Sequence, residues 1–397
     1  MTKKPAIFLF LTQMSAGGQE RFVSRLSAML HEQYDLYIVL LDNTKINYPV
    51  SGTVLCIHGT GFTRHSLYAN IKKMAVRCTR LRRLIKQYRP IACMSFGSGP
   101  DLVNLICRRK GTKVFPSIRG YATAERIIQK RWMRALYARA DQVICVSRGI
   151  EDKLRRGIPA LAGKTTVLYN AYDCEQIATA AKMEIPDSLR SAGEPRLVSV
   201  GTLRPEKGYW HLIKAVSVLK RDYPNILLSI VGPDYLDNGA NLKKLAERLG
   251  LEGNVRFEGW HSNPYAFTEN SDIYVLSSVR EGFPNALVEA MACGKPVVAA
   301  DCLTGPREIL SELPWDTAAS EIEQAEYGVL VPRLDTREDY TENISPEEET
   351  LAEAIRLLLE SPALREEYGK RAAKRAAEFS YQACAEHVTR ILEGSPE

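Results

Sequence analysis

Short apolar runs separated by helical stretches recur along this 397-residue chain, and that rhythm restricts its fold more than any other feature. The runs fall at 6–12, 34–42, 54–58, 91–96, 113–118, 142–147 and 165–170, each of strand length. Strands that alternate with helices build parallel βαβ units, because a parallel neighbour is reached only through a crossover long enough to hold a helix. The pattern stops at 186–195, a polar, turn-rich stretch reading PDSLRSAGEP. It restarts at 196–201, 226–232, 255–260, 273–278, 296–301 and 328–332. The expectation is an α/β chain with two doubly wound, Rossmann-like domains, 1–185 and 196–380, joined by a linker at 186–195 and facing a central cleft. Residues 381–397 form a last helix that could cross back to the first domain, and the acidic stretch 321–349 reads as a surface insertion around one strand.

Charge is distributed unevenly. Residues 64–139 hold 19 lysines and arginines against only Asp101 and Glu125, a net +17, so the rest of a chain of net +6 carries −11. Such polarity suits an anionic partner touching one part of the molecule; the plainer reading is a solvated face. Within the block, Ile71, Met74, Ala75, Cys78, Leu81, Leu84, Ile85 and Tyr88 recur at helical spacing among Lys72, Lys73, Arg77, Arg80, Arg82, Arg83, Lys86 and Arg89. That is a basic amphipathic helix whose stripe is expected to pack on its own domain and whose cations face out. A second basic stretch, 125–139, holds Trp132 and Met133. No apolar run approaches the roughly 18 residues of a membrane span, and the basic N-terminus lacks a signal-peptide pattern, so a cytoplasmic location is expected. Nine cysteines without a C-x-x-C pair read as reduced thiols, and six scattered histidines give no zinc spacing.

Three stretches can carry chemistry. After the first run comes Ser15-Ala16-Gly17-Gly18-Gln19-Glu20-Arg21, where paired glycines at a helix start allow backbone N–H groups to approach a phosphate or sugar, or simply form a tight turn. The second half opens with Gly201-Thr202-Leu203-Arg204-Pro205-Glu206-Lys207-Gly208. Here two cations sit at a helix start, where the positive dipole end repels them unless an anion lies between. The third stretch runs from Ser277 to Pro296 and contains Glu281 in a loop at a strand's C-terminal end and Glu289 inside an otherwise apolar helix. A carboxylate in that setting needs a partner, whether a ligand hydroxyl or a neighbouring Lys or Arg.

Glu281 and Glu289 lie within EGFPNALVEAMACGKPVVA, which resembles the E-x7-E signature of retaining glycosyltransferases of the family 4 type, proteins of the GT-B fold. The GGQER turn and GTLRPEKG stand where that family has them, and the likeness extends over essentially the whole chain. Gly305-Pro306-Arg307-Glu308-Ile309-Leu310 is similar to a loop in enzymes that extend lipid-linked saccharides or surface polysaccharides, such as lipopolysaccharide. The resemblance implies a hexosyltransferase or N-acetylhexosaminyltransferase that uses a nucleotide sugar, usually UDP-linked, as substrate rather than cofactor. Its diphosphate would lie near Arg204, Lys207 and the Gly17-Gly18 turn. Glu281 would contact sugar hydroxyls and Glu289 the ribose. The backbone through Gly282, Phe283, Pro284, Asn285 and Leu287 would line sugar and phosphate, with Trp260 and His261 beside the base. The resemblance also implies same-face attack without a metal, fixed cations stabilising the departing diphosphate. Lys72, Lys73, Arg80, Arg82, Arg83 and Lys86 would face an anionic membrane, placing the enzyme peripherally on the inner face of the cell membrane with a lipid-linked or saccharide acceptor.

Other readings stay open on residues alone. The acceptor could be free of lipid; the two glutamates could serve a glycosidase, although one lies inside a helix; and the chain could be a pseudoenzyme scaffold. The basic block with Trp132 and Tyr137 could bind nucleic acid, although no recognised module is present and no nucleic-acid partner is expected.

Overall fold

A computed structural model describes residues 4–15, 17–42, 46–57, 67–183, 186–190, 194–234 and 237–394, with backbone alone at 67–69. Arg64 at the edge of the basic block, residue 58 of the third run and residues 191–193 of the expected linker lie outside the described residues.

The chain forms two compact units. The first comprises Met1–Ala171 and Tyr381–Glu397, the second Tyr172–Ser380. The division thus falls at Tyr172, ahead of the 186–195 stretch. The reason is packing: the helix Cys174–Ala181 lies against the helices Tyr265–Glu269 and Asn285–Ala292 of the second unit.

In the first unit, strands β1 (Ala6–Leu11), β2 (Asp35–Leu40), β3 (Thr53–Cys56), β4 (Ala92–Phe96), β5 (Lys113–Ile118), β6 (Val143–Cys145) and β7 (Thr165–Val167) form one sheet in the order β3-β2-β1-β4-β5-β6-β7. Every pairing is parallel. Side chains alternate across a strand, so Ile7 and Leu9 enter one core with the helix Gly18–Leu30 and with Cys384, Val388 and Ile391 of the last helix. Phe8 and Phe10 enter the other core, against Cys78, Leu81 and Ile85 of the basic helix Leu67–Tyr88. The basic helix therefore packs on its own sheet through most of the predicted stripe, but Ile71, 61% exposed, and Ala75 stay exposed, and Arg77, expected to face out with the other cations, is buried. The stretch 125–139 forms two short helices, Tyr121–Gln129 and Arg131–Tyr137.

The second unit repeats the plan with β8 (Arg196–Val200), β9 (Leu227–Val231), β10 (Val255–Gly259), β11 (Ile273–Leu276), β12 (Val297–Ala300), β13 (Glu323–Ala325) and β14 (Gly328–Val331), in the order β10-β9-β8-β11-β12-β14-β13. Only β13 runs antiparallel. The expected insertion thus contributes two strands, and a helix begins at Pro346, where Glu348 Oε2 accepts from the Ser345 N–H at 2.6 Å. In each sheet the chain adds strands in one direction and then resumes on the other side of its starting strand. This leaves a crevice at the C-terminal ends of β1 and β4, and of β8 and β11, where doubly wound sheets hold ligands.

Candidate functional site

At the crevice of the second sheet two loops meet. The one after β8 carries Arg204, Lys207 and Gly208; the one after β11 carries Ser277 to Pro284. Gly208 has φ 59, and a Cβ there would lie 2.2 Å from the Ser277 carbonyl oxygen, so only glycine lets the loops approach. They are laced by bonds from Val279 N to Glu206 O (2.9 Å) and from Ser277 Oγ to Lys207 O (3.0 Å). Held this way, Lys207 Nζ donates to Glu281 Oε1 at 2.7 Å, and Ser278 Oγ donates to the same oxygen at 2.7 Å.

This contact answers part of the electrostatic problem posed by the sequence. Lys207 stands just before the helix Tyr209–Leu219, and the anion beside it is the Glu281 carboxylate. The pair keeps an open side, with 22% and 12% of the two side chains exposed. Thr304 Oγ1 donates to the Glu281 carbonyl, fixing the residue from the loop after β12. Arg204 is exposed, at the mouth of the same loop. A half-covered ammonium beside an oriented carboxylate can meet phosphate oxygens with one group and hydroxyls with the other.

Glu289 is buried in the helix Asn285–Ala292. Tyr274 of β11 lies fully buried close by, and its burial, together with the neighbouring Tyr209, Glu281 and Glu289, pushes the phenol well above its ordinary range. Phe283, Pro284 and Leu287 are buried, Phe283 against Phe379 with ring centroids 5.4 Å apart, so what these residues present to a ligand is backbone. Gly282 and Asn285 are half-buried, and Asn285 Oδ1 accepts from Tyr172 OH at 2.6 Å. Trp260 and His261 are exposed after β10; Trp260 shows 71% of its surface, and His261 Nε2 lies 3.0 Å from Glu258 O.

The GPREIL stretch, compared in sequence with a loop, forms the short helix Pro306–Leu310, and its Arg307 is buried. Its guanidinium bonds Asp301 Oδ2 (2.9 and 2.7 Å) and both oxygens of Glu323 (3.1 and 2.7 Å). It ties the end of β12 to β13 through an ion triad in which Arg307 and Asp301 are buried and Glu323 is half-buried.

In the first unit, Gly17 precedes the helix Gly18–Leu30. A Cβ on Gly17 would lie 2.3 Å from Glu20 Oε2, so the carboxylate of Glu20 folds back over the turn, and burial pushes it upward against the pull of its own backbone bond. The turn's helix N-terminus is thus met by a side chain of its own helix.

Among the cations expected to face a membrane, Arg80 bonds Ile57 O at 3.3 Å and Arg82 bonds Ile106 O at 3.4 Å, both reaching back to their own unit. Lys72, Arg83 and Lys86 are exposed and Lys73 half-buried. Sequence reasoning missed Ser278, Thr304 and Tyr172. Hydroxyls next to Glu281 were a signal for the first; nothing local marks the other two.

Comparison with known proteins supplies the remaining finding. Residues 16–176 match the family described as Glycosyltransferase Family 4, and residues 182–315 match Glycosyl transferases group 1. An uncharacterized glycosyltransferase of Methanocaldococcus jannaschii is 29% identical over 266 residues, 65% of each chain and so just under two thirds of that relative's length. The N-acetylgalactosamine-N,N'-diacetylbacillosaminyl-diphospho-undecaprenol 4-alpha-N-acetylgalactosaminyltransferase of Campylobacter jejuni is 25% identical over 395 residues, covering 97% of this chain and 99% of that one. The crystal structure of HepE from Anabaena, in complex with UDP, superimposes with a TM-score of 0.77 at 19% identity, covering 98% of this chain and all of the other. With one match covering most of the first unit and the other the loops that carry Lys207 and Glu281, the chain belongs to the group 1 and family 4 glycosyltransferases and has their GT-B fold.

Proposed function

We propose that this glycosyltransferase moves a sugar from a UDP-linked donor, bound by the second unit, to a lipid-linked saccharide at an anionic membrane surface. The observation that carries the donor half is the Lys207–Glu281 pair at the β8/β11 crevice. Departure of a nucleoside diphosphate builds negative charge on phosphate oxygens, and Lys207, Arg204 and the start of the helix Asn285–Ala292 supply fixed positive potential there. Glu281, oriented by Lys207 and Ser278, accepts from donor sugar hydroxyls, and Glu289 accepts from ribose hydroxyls. The base rests near Trp260 and His261. With no nucleophile assigned on the enzyme, retention follows from same-face attack, the departing phosphate oxygen taking the acceptor's proton.

UDP is favoured because HepE was crystallised with it, and a diphosphate-lipid acceptor is favoured by the name of the Campylobacter relative, a diphospho-undecaprenol N-acetylgalactosaminyltransferase. The exposed Lys72, Arg83 and Lys86 support the membrane half. The test is a thermal-shift panel of UDP-, GDP- and ADP-sugars, followed by transfer assays on wild type and Glu281→Gln. Stabilisation by UDP-sugars and loss of transfer in a folded Glu281→Gln protein are expected. A Glu281→Gln protein with wild-type turnover would remove Glu281 from the chemistry, and stabilisation by another nucleotide alone would replace UDP.

A further inference from the structure

The second unit begins at Tyr172 and ends at Ser380, and both ends arrive at the start of the helix Asn285–Ala292. The Tyr172 N–H donates to Phe379 O at 2.9 Å, and Tyr172 pairs with Ser380 in an isolated parallel bridge. From this junction two side chains reach the helix start on either side of Pro284. The Tyr172 hydroxyl donates to Asn285 Oδ1 at 2.6 Å, and the Phe379 ring meets Phe283 edge to face, with centroids 5.4 Å apart. Tyr172 is 1% exposed, and its backbone is fixed on the other flank as well, because the helix Cys174–Ala181, capped by Asp173, packs against Asn285–Ala292. Arg375 steadies Phe379 in turn: its guanidinium lies 5.1 Å from the ring and donates to Glu308 O at 3.0 Å and Ile309 O at 3.2 Å.

A helix start that meets a ligand through its backbone has little internal support, since its first N–H groups find no partner within the helix. Pro284, in the cap position, has no side-chain acceptor to supply. The direction of those groups is therefore set by whatever holds the residues that carry them. The loop ahead of the helix is held from the β12 side, by the Thr304 bond to Glu281 O and by Gly305, where a Cβ would lie 2.6 Å from Pro284 Cδ. The helix itself is gripped at its first residue by Tyr172, across 113 positions of chain.

We propose that Tyr172 is a positioning residue for the donor: acting through Asn285, its hydroxyl fixes the first turn of the helix Asn285–Ala292 in the direction from which that backbone meets the nucleotide sugar. That role rests on the donor reading above, which puts sugar and phosphate at this turn. The ring of Tyr172 serves packing, whereas its O–H proton is committed to Asn285, so the two contributions are separable by removing the oxygen alone.

The experiment measures steady-state donor kinetics, UDP affinity by calorimetry and thermal melts on the full chain as wild type, Tyr172→Phe, Asn285→Ala and the double variant. GDP or ADP replaces UDP if the thermal-shift panel selects it. Tyr172→Phe keeps the buried ring, so a melting temperature close to that of wild type is expected. Donor KM and the nucleotide Kd should each rise about three- to tenfold, the scale of one hydrogen bond, with a smaller change in kcat. A misfolded fraction would lower kcat and leave KM where it was, so the KM shift separates positioning from a merely structural role. In Asn285→Ala the hydroxyl has nothing to hold, and adding Tyr172→Phe should cost nothing further. Wild-type KM and Kd in a folded Tyr172→Phe protein, or losses that add in the double variant, overturn the proposal. If Tyr172→Phe does not fold, Asn285→Ala decides alone: a raised Kd supports the role and wild-type affinity overturns it. Wild-type protein that binds none of the three nucleotides removes the donor reading and this role with it. Wild-type protein that binds nucleotide, with a Glu281→Gln protein that fails to transfer and an unaffected Tyr172→Phe protein, removes this role alone.

Discussion

At the scale of single residues, two buried or half-buried charges define what the chain can do. Lys207 touches Glu281 at 2.7 Å, and Arg204 shares its loop, so each is expected to act on a departing diphosphate as a fixed donor does on an oxyanion. Replacing either with Ala should lower the rate of transfer by about 2.7 to 4 kcal/mol, of the order seen when one oxyanion donor is removed, with the larger KM change in the Lys207 variant because Glu281 loses its partner. Steady-state kinetics on both variants check this; unchanged rates in both would move the diphosphate elsewhere. Asp101 makes a different case. It is fully buried and accepts from Ser95 Oγ at 2.7 Å and Tyr137 OH at 2.9 Å, yet burial outweighs these bonds and pushes its carboxyl up to about 8. Between an unfolded value near ~3.9 and that folded value the native state holds the extra proton, so stability falls as pH rises through the window. Asp101→Asn keeps a neutral group of the same shape. Its melting temperature should vary less than that of wild type between about pH 4 and about pH 8, and parallel profiles for the two proteins would show that Asp101 ionises normally.

At the scale of elements, loops joined by glycine set the site more than any one side chain. Gly208 (φ 59) and Gly250 (φ 65) both adopt the left-handed conformation, but a Cβ on Gly208 meets the Ser277 carbonyl at 2.2 Å whereas one on Gly250 meets nothing within 4 Å. Gly250→Ala should therefore cost about 1–2 kcal/mol of backbone strain alone. Gly208→Ala should cost more and also weaken donor binding, because it forces apart the loops that bring Lys207 to Glu281. Denaturant melts and nucleotide titrations on the pair separate strain from displacement; equal losses would mean the loops can part freely. Such close approach explains what sequence could and could not disclose. The alternation of apolar runs marked both sheets, and EGFPNALVE marked the helix Asn285–Ala292 together with its loop, because periodicity and local turn chemistry are written in adjacent residues. The ion pair of Lys207 with Glu281 follows from β8 pairing with β11 out of chain order, and the Thr304 bond to Glu281 and the Tyr172 bond to Asn285 span 23 and 113 positions, so all three arise only once distant segments have packed. Likewise, the GPREIL stretch drew notice in sequence as similar to a loop of saccharide-extending enzymes, whereas in the fold its Arg307 is held by Asp301 and Glu323.

At the scale of the whole molecule, charge is sorted between chain segments, and one of the two acids in the basic block, Asp101, is held largely protonated near neutrality. The block's positive excess therefore exceeds its formal count. No helix among the described residues is long and apolar enough to cross a membrane. The basic helix has the components of a surface contact: Ile71 is 61% exposed beside Lys72, and Arg83 and Lys86 are exposed further along. Each cation near an anionic surface contributes roughly 1 kcal/mol, screened as salt rises. Vesicles rich in anionic lipid should therefore sediment the protein at low salt, neutral vesicles should not, and changing Lys72, Arg83 and Lys86 together to Gln should weaken binding by roughly 3 kcal/mol, or more than a hundredfold. Arg80→Gln with Arg82→Gln should weaken it less, because those two guanidinium groups are bonded back to Ile57 and Ile106. In the triple variant, transfer to a lipid-linked acceptor should slow, while hydrolysis of the donor by water should persist because the donor loops belong to the other unit. A triple variant that sediments with anionic vesicles as well as wild type does would make the basic face a solvated surface and favour an acceptor free of lipid.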